Sequence, residues 1–428
     1  MSIVITEKTR VVVVGLGYVG LPLAVALSRN FDCLGLDIDE RRVGELKEGH
    51  DRTNEVTGEA LLNSGLKLHV DPQACAGADI YIVTVPTPVD ANNVPDLTPV
   101  LSATRTVGQM LSKDKKSIVV YESTVYPGVT EEICGPALAE ASALSHGENF
   151  FLGYSPERIN PGDREHVVEK IVKVVAGENP EIVGALVALY GKVTEAGCFA
   201  AASIRAAEAA KVIENAQRDI NIAFMNEITQ IFSRIGLSIW DVLDAAKTKW
   251  NFLPFEPGLV GGHCIGVDPF YLSHCAQKAG YEPKVILSGR ALNEEMGGWF
   301  VDTLVDQHGP GKGSALVMGL TFKKDVPDLR NSKVVDVVNR LRERGFKVTL
   351  HDTMADGEEA ARIYGQTPDE NALKSAYDLV ICAVDHLSYK TMANESIAEL
   401  VKSGGTLADF RGVWRDRNLP DTVRRWSL

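Results

Sequence analysis

The run VVVVGLGYVG (11–20) constrains this chain more tightly than any other stretch. Four β-branched residues suit a short buried strand, and Gly15, Gly17 and Gly20 follow at once, ahead of the apolar helical stretch Leu21–Ser28. Set between a strand and a helix, the spacing G-x-G-x-x-G gives each glycine a task. Gly15 permits the tight turn, Gly17 lets a pyrophosphate approach the backbone, and Gly20 lets helix and strand pack closely. The N–H groups and dipole at the helix start, with Tyr18 and Val19 in the turn, complete a phosphate cradle. The next strand-like run, Cys33–Ile38, carries Asp37 seventeen residues past Gly20. A carboxylate there accepts hydrogen bonds from a ribose diol and repels a 2′-phosphate, so NAD is the expected cofactor. Arg42 lies near enough to keep NADP in view.

The same texture continues. Ile80–Val85, Ile118–Tyr121 and Phe150–Tyr154 are short apolar runs separated by helix-length stretches, the pattern of a parallel sheet covered on both faces. From Ser203 to Ile235 there is no Gly or Pro, apolar residues recur at helical spacing, and Gly236 offers a stop. The spacing predicts one helix of about 50 Å. Two readings stand for it: a spine joining two domains with an apolar stripe left for a partner subunit, or a core helix buried within one chain. After the Gly/Pro-rich hinge His308–Gly311 the strands resume with Ala315–Leu320, Phe346–Asp352, Tyr377–Val384 and Thr406–Phe410. The expected division is 1–199, 200–300 and 301–428.

A net charge of −13 argues against broad nucleic-acid or anionic-membrane binding. No stretch is apolar for the ~18 residues a membrane span needs, and MSIVITEKTR does not resemble a signal peptide. Seven scattered cysteines without a CxxC pair indicate a reduced, cytoplasmic protein with no structural zinc.

Three clusters sit at strand ends, where open parallel sheets bind ligands: VPTPVD (85–90) with Thr87, YESTVYPG (121–128) with Thr124, and YSPERINPGD (154–163) with Glu157. Each also reads as loop punctuation, and Glu157 as a base or as a solvated loop residue. Lys211 and Asn215 share a helix face one turn apart, a pairing suited to an oxyanion. With Glu208 and Asp219 they form a polar stripe opposite the apolar one, which a solvated face would also show. In GLVGGHCIGVDPF (258–270), Cys264 reads as a metal ligand, a buried residue or a nucleophile. Adjacent His263 and Cys264 without a second pair do not make a metal site.

Taken together, GLGYVGLPLA, VPTP, ESTVYPG, YSPERINPGD, AEAAKVIENAQRDINIAFMNE, KWNFLPFEPGLVGGHCIGVDPFYL and FKKDVPDLRNS resemble the UDP-glucose/GDP-mannose dehydrogenase family over nearly the whole chain. The bacterial branch acting on UDP-N-acetylhexosamines for surface polysaccharides is the most similar. The resemblance implies an α/β chain with two Rossmann-like doubly wound parallel-sheet domains joined by a central helical domain. It also implies a UDP-sugar substrate, while the apolar stripe on the long helix points to a homodimer. The activity the resemblance implies is oxidation of a sugar C6 alcohol to a carboxylate with two NAD and one water.

By position, Cys264 matches the nucleophile that forms a thiohemiacetal and then a thioester. Lys211 and Asn215 match the oxyanion-stabilising pair, Asp268 and Thr124 the water-holding residues, and Glu157 the glutamate of thioester hydrolysis. Arg158, Ile159 and Asn160 match the loop at the sugar diphosphate, and 250–262, with Phe252, Gly258 and Gly261, the nucleotide-sugar loop. Lys323 and Arg411 match basic residues for the UDP part, and Arg330 one near the cofactor. The glycines ahead of Cys264 are expected to let substrate reach sulfur without a Cβ clash. Some relatives carry a second glutamate where this chain has Pro161, and relatives are not uniform around DFRGVW (409–414). UDP-N-acetylglucosamine is the expected substrate, ahead of UDP-N-acetylgalactosamine and UDP-glucose. Two other readings are a non-catalytic NAD- or UDP-binding scaffold and a two-electron β-hydroxyacid type dehydrogenase, which needs neither the cysteine loop nor a second α/β domain.

Overall fold

The computed structural model describes residues 3–159, 165–307 and 312–428. These divide into two compact units, 1–214 with 270–281, and 215–269 with 282–428.

The first unit is built on an eight-stranded sheet: β1 (Arg10–Val14), β2 (Asp32–Leu36), β3 (Lys67–His69), β4 (Ile80–Val83), β5 (Ser117–Tyr121), β6 (Phe150–Tyr154), β7 (Lys173–Gly177) and β8 (Cys198–Ala200). Their order is β3-β2-β1-β4-β5-β6-β7-β8. Every ladder is parallel except β6 with β7, where Gly153 faces Gly177 and Tyr154 faces Ala176. Val11 to Val14 are buried between β2 and β4, as a central strand covered on both faces requires. Strand order reverses between β1 and β4, so the crevice past their carboxyl ends is the ligand position of such a sheet.

The second unit carries a five-stranded, all-parallel sheet: β9 (Gly313–Met318), β10 (Phe346–His351), β11 (Tyr377–Cys382), β12 (Val401–Asp409) and β13 (Arg424–Ser427), in the order β10-β9-β11-β12-β13. Its core joins Val317, Leu350 and Ile381 of the sheet to Phe300 and Leu304 of a 24-residue helix, Lys284–Gln307.

The glycine-free stretch forms one helix of 32 residues, Ile204–Ile235, closed by Gly236 at φ +74. The two largely parallel sheets and this helix match the expected α/β class. The hinge His308–Gly311 lies outside the described residues. Among the described residues no helix is long and apolar enough to cross a membrane.

The faces of the long helix run against intuition. Glu208, Lys211, Asp219, Asn226 and Thr229 are buried, with Glu208 and Asp219 at 0% exposure. At 100° per residue they and Asn215 span an arc of about 80°. Ile213, Phe224, Ile231 and Ile235 lie within about 40° of one another on the opposite side, and all four are exposed, Ile235 by 62%.

Candidate active site

The glycine turn has the geometry a dinucleotide needs. Gly15 sits at φ +96, where a side chain would be strained, and its N–H donates to Leu36 O at 2.8 Å. A Cβ on Gly20 would run into Gly15 O and Thr84 Oγ1, whereas a Cβ on Gly17 would meet nothing within 4 Å. Gly17 therefore opens outward, where a pyrophosphate fits, and Gly20 closes helix against turn. Asp37 accepts the Leu16 N–H at 2.7 Å and the Asp39 N–H at 2.9 Å, so the residue expected at the ribose also fixes the turn. Arg42 departs from expectation. It is buried, donates from Nε to Leu16 O at 3.0 Å and pairs with Asp51 at 2.8 Å. Desolvating the guanidinium without that carboxylate would be costly, so Arg42 braces the turn from behind rather than offering a face to a cofactor. Tyr18, Val19 and Thr87 are half-buried in their turns.

The strand-end clusters of the first unit are tied to one another. Ser123 Oγ donates to Val85 O at 2.7 Å, joining YESTVYPG, with half-buried Thr124, to VPTPVD. Glu208 accepts the backbone N–H groups of Gly128, at φ +102, and Thr130 at 2.6 and 2.9 Å, across the start of a π-helical turn, Val129–Cys134. Such turns concentrate at functional sites.

Glu157 is not a solvated loop residue. It is 4% exposed, and its Oε2 lies 4.0 Å from Lys211 Nζ. Burial raises its proton affinity above the ordinary glutamate range, against the pull of Lys211 and of the Ile159 N–H that its Oε1 accepts. Arg158 turns to Glu214 at 2.9 Å and to Val172 O at 3.3 Å, and Ile159 packs against the core of the first unit. Asn160 and Pro161 lie outside the described residues.

In the second unit the cysteine loop is one hydrogen-bonded piece. Cys264 O accepts from Val267 N at 3.2 Å and Asp268 N at 2.9 Å, and Asp268 opens the helix Asp268–Lys278. The Asn215 amide donates to Asp268 Oδ2 at 2.5 Å. Cys264 itself is half-buried. The two glycines before it serve a different purpose from the one expected. A Cβ on Gly261 would strike Asn331 O, and one on Gly262, at φ +81, would come within 2.8 Å of the Phe322 ring. They admit the close approach of Asn331 and Phe322. His263 faces Asp328 at 3.1 Å, yet burial holds its ring down to about 4, so it stays neutral at pH 7.

The remaining expected contacts to substrate are partly committed within the second unit. Gly258 donates its N–H to Asn226 Oδ1 at 2.9 Å, and its C=O accepts from Asn226 Nδ2 at 3.0 Å. Asn226 Nδ2 also reaches Asn293 Oδ1, and Asn293 and Arg290 both donate to Asp219 Oδ1, at 2.8 and 2.6 Å. Arg411 donates to Pro257 O at 2.7 Å, and Phe252 packs on the core of the second unit. Arg330 grips Asp328 through Nε and Nη2, and Lys323 is half-buried.

Sequence reasoning missed Asn226, Asn293 and Arg290, whose only signal was polarity inside a helical apolar pattern. It also missed Glu122, Lys173 and Tyr190: Lys173 Nζ and Tyr190 OH each lie 2.6 Å from the Glu122 carboxylate, all three buried.

The chain is 50% identical over 412 residues to a UDP-N-acetyl-D-glucosamine 6-dehydrogenase of Pseudomonas aeruginosa, covering 95% of this chain and 97% of that one. It is 45% identical over 414 residues to the protein of the same name in Salmonella typhi, again covering 95% and 97%. A solved UDP-glucose dehydrogenase from Pyrobaculum islandicum superposes with a TM-score of 0.87 at 27% identity, covering 98% of both chains. Residues 9–194 match the NAD binding domain, 205–295 the central domain and 316–416 the UDP binding domain of one family, so this chain belongs to the NAD-dependent UDP-glucose/GDP-mannose dehydrogenases.

Proposed function

We propose that this chain oxidises the C6 alcohol of UDP-N-acetylglucosamine to the carboxylate in two steps, by way of a thioester on Cys264. The observation that carries the reading is the unit Cys264–Asp268–Asn215: a candidate nucleophile, a carboxylate and an amide donor fixed by bonds of 2.9 and 2.5 Å. The names of its two bacterial relatives support the sugar. NAD, held at Gly15, Gly17, Gly20 and Asp37, supplies the hydride acceptor for each oxidation.

The chain's own groups do the rest. Lys211 and Asn215 stabilise the oxygen of C6 as it gains negative charge. Cys264 sulfur adds to the C6 aldehyde, so the aldehyde is not released and the second oxidation yields a thioester. Water held by Asp268 and Thr124 attacks the acyl carbon. Its proton passes to Glu157, the C–S bond breaks, and Cys264 is regenerated. Arg158, Ile159, Asn160, Phe252, Gly258, Gly261, Lys323 and Arg411 belong to UDP-sugar recognition, and Arg330 to the cofactor side. Residues 1–199, 200–300 and 301–428 are the NAD, central and UDP-sugar parts.

The stripe of Ile213, Phe224, Ile231 and Ile235 supports a homodimer paired through the long helix, since an isologous interface needs a self-complementary apolar strip, and the seven scattered cysteines support a cytoplasmic location. The product serves surface polysaccharide synthesis.

The test is NADH formed per sugar consumed with UDP-N-acetylglucosamine, UDP-N-acetylgalactosamine and UDP-glucose. Two NADH per sugar, with the highest kcat/KM on the first, is expected. One NADH with aldehyde release would remove the thioester, a different preferred sugar would correct the substrate, and no turnover on any would leave a binding scaffold.

A further inference from the structure

Behind Glu157 lies a buried charge cluster that the reaction above leaves unused. Lys173 and Glu122 form a 2.6 Å ion pair with side chains 4% and 1% exposed. Tyr190, also fully buried, donates to the second oxygen of Glu122 at 2.6 Å. Burial holds the Tyr190 phenol well above its usual range, so it remains a donor. The three groups come from separate elements: Glu122 directly follows β5, Lys173 begins β7, and Tyr190 ends the helix Pro180–Tyr190.

The antiparallel register aims this cluster at Glu157. Gly153 faces Gly177 and Tyr154 faces Ala176 at the end of the ladder, and beyond it the chain runs on toward Glu157 alongside the start of β7, where Lys173 lies. Ser155 Oγ holds the extension by donating to Val174 O at 2.7 Å. Among the described residues the charged groups acting on Glu157 are Lys211 from the long helix, Lys173 from β7 and Glu122 from the end of β5, while Arg158 beside it is turned to Glu214. Lys211 and Lys173 favour the ionised form of Glu157, and Glu122 and burial oppose it.

A buried ion pair is weak grounds for stability, because desolvation offsets most of its attraction. Its placement calls for another account. We propose that the Lys173–Glu122 pair, fixed by Tyr190, is a positioning device for Glu157 that sets the pH at which Glu157 accepts the proton of the hydrolytic water. This rests on the role given to Glu157 above.

The experiment is the pH profile of kcat for two-NADH turnover in Glu122→Gln, Lys173→Met, the double variant and Tyr190→Phe. Glu122→Gln removes a like charge and leaves Lys173 unbalanced, so the acid limb moves down by about one pH unit. Lys173→Met moves it up by a similar amount. The double variant, again neutral, returns toward the wild-type limb even if each single variant folds poorly. Tyr190→Phe, which keeps both charges, moves it by less than either. A merely structural role lowers yield and melting temperature in all variants without opposite displacements of the limb. Two NADH per sugar with an unmoved limb overturns this proposal alone, whereas one NADH per sugar in the wild type overturns it together with the thioester.

Discussion

Cys264 shows what a single side chain does and does not reveal. Its neighbours in sequence argued against a metal site without saying where the residue sits, and its backbone carbonyl, which accepts the N–H of Asp268, shows it held at the head of a helix. Replacing sulfur by the less nucleophilic hydroxyl in Cys264→Ser should lower net acid formation by at least ~10³-fold, since the acyl intermediate is lost. NAD binding, followed by cofactor fluorescence, should stay within a factor of about two, because the Gly15–Gly20 turn is untouched. A variant that still gives two NADH per sugar would refute the nucleophile assignment. The glycine turn was legible residue by residue, because a φ of +96 at Gly15 and the absence of room at Gly20 admit almost no alternative. Arg42 was not legible: nothing in its sequence neighbourhood announces that Asp51 folds back onto it.

At the level of elements, periodicity located the long helix to within a residue but could not say which face is wet. Both the polar and apolar stripes were visible, and a surface helix would ordinarily hide the apolar one. Here the polar side is the buried side, because each of its groups has a partner: Glu208 on two backbone N–H groups, Asn215 on Asp268, Asp219 on Arg290 and Asn293, and Asn226 on Gly258. Those partners come from 30 to 80 residues away, beyond the reach of any local pattern. The Asn226 carboxamide satisfies both polar groups of Gly258 as a base pair would. Asn226→Ala should leave them unpaired at about 1–3 kcal/mol each and loosen the 250–262 loop. The expected signature is a KM for UDP-sugar raised about tenfold with the KM for NAD unchanged. Equal changes in both would make Asn226 a packing residue only. The strands β3, β7, β8 and β13 escaped the sequence reading for a simpler reason: they are short or lie at or near the sheet margins, where apolar runs are weak.

For the molecule as a whole, order along the chain was readable because βα units announce themselves and the long helix interrupts them. Assembly was not, since an apolar stripe on a helix reads the same whether it faces a core or a partner. Its exposure now favours a second copy. Phe224→Asp with Ile231→Asp places charge at the centre of the strip and should convert a two-chain particle to a single chain in light scattering, with the helical circular dichroism retained. A wild-type protein that runs as one chain at micromolar concentration would remove the dimer.

The ladder of anchors on the long helix also limits how this chain can change its length. One residue inserted between Asp219 and Asn226 would turn everything after it by 100° and carry it 1.5 Å along the axis, taking Asn226 off Gly258 and Asn293. Seven inserted residues would nearly restore the angle and still displace the anchor by about 10 Å. Surface loops elsewhere can absorb such insertions, but this helix, anchored on either side of the insertion, admits no change of count within.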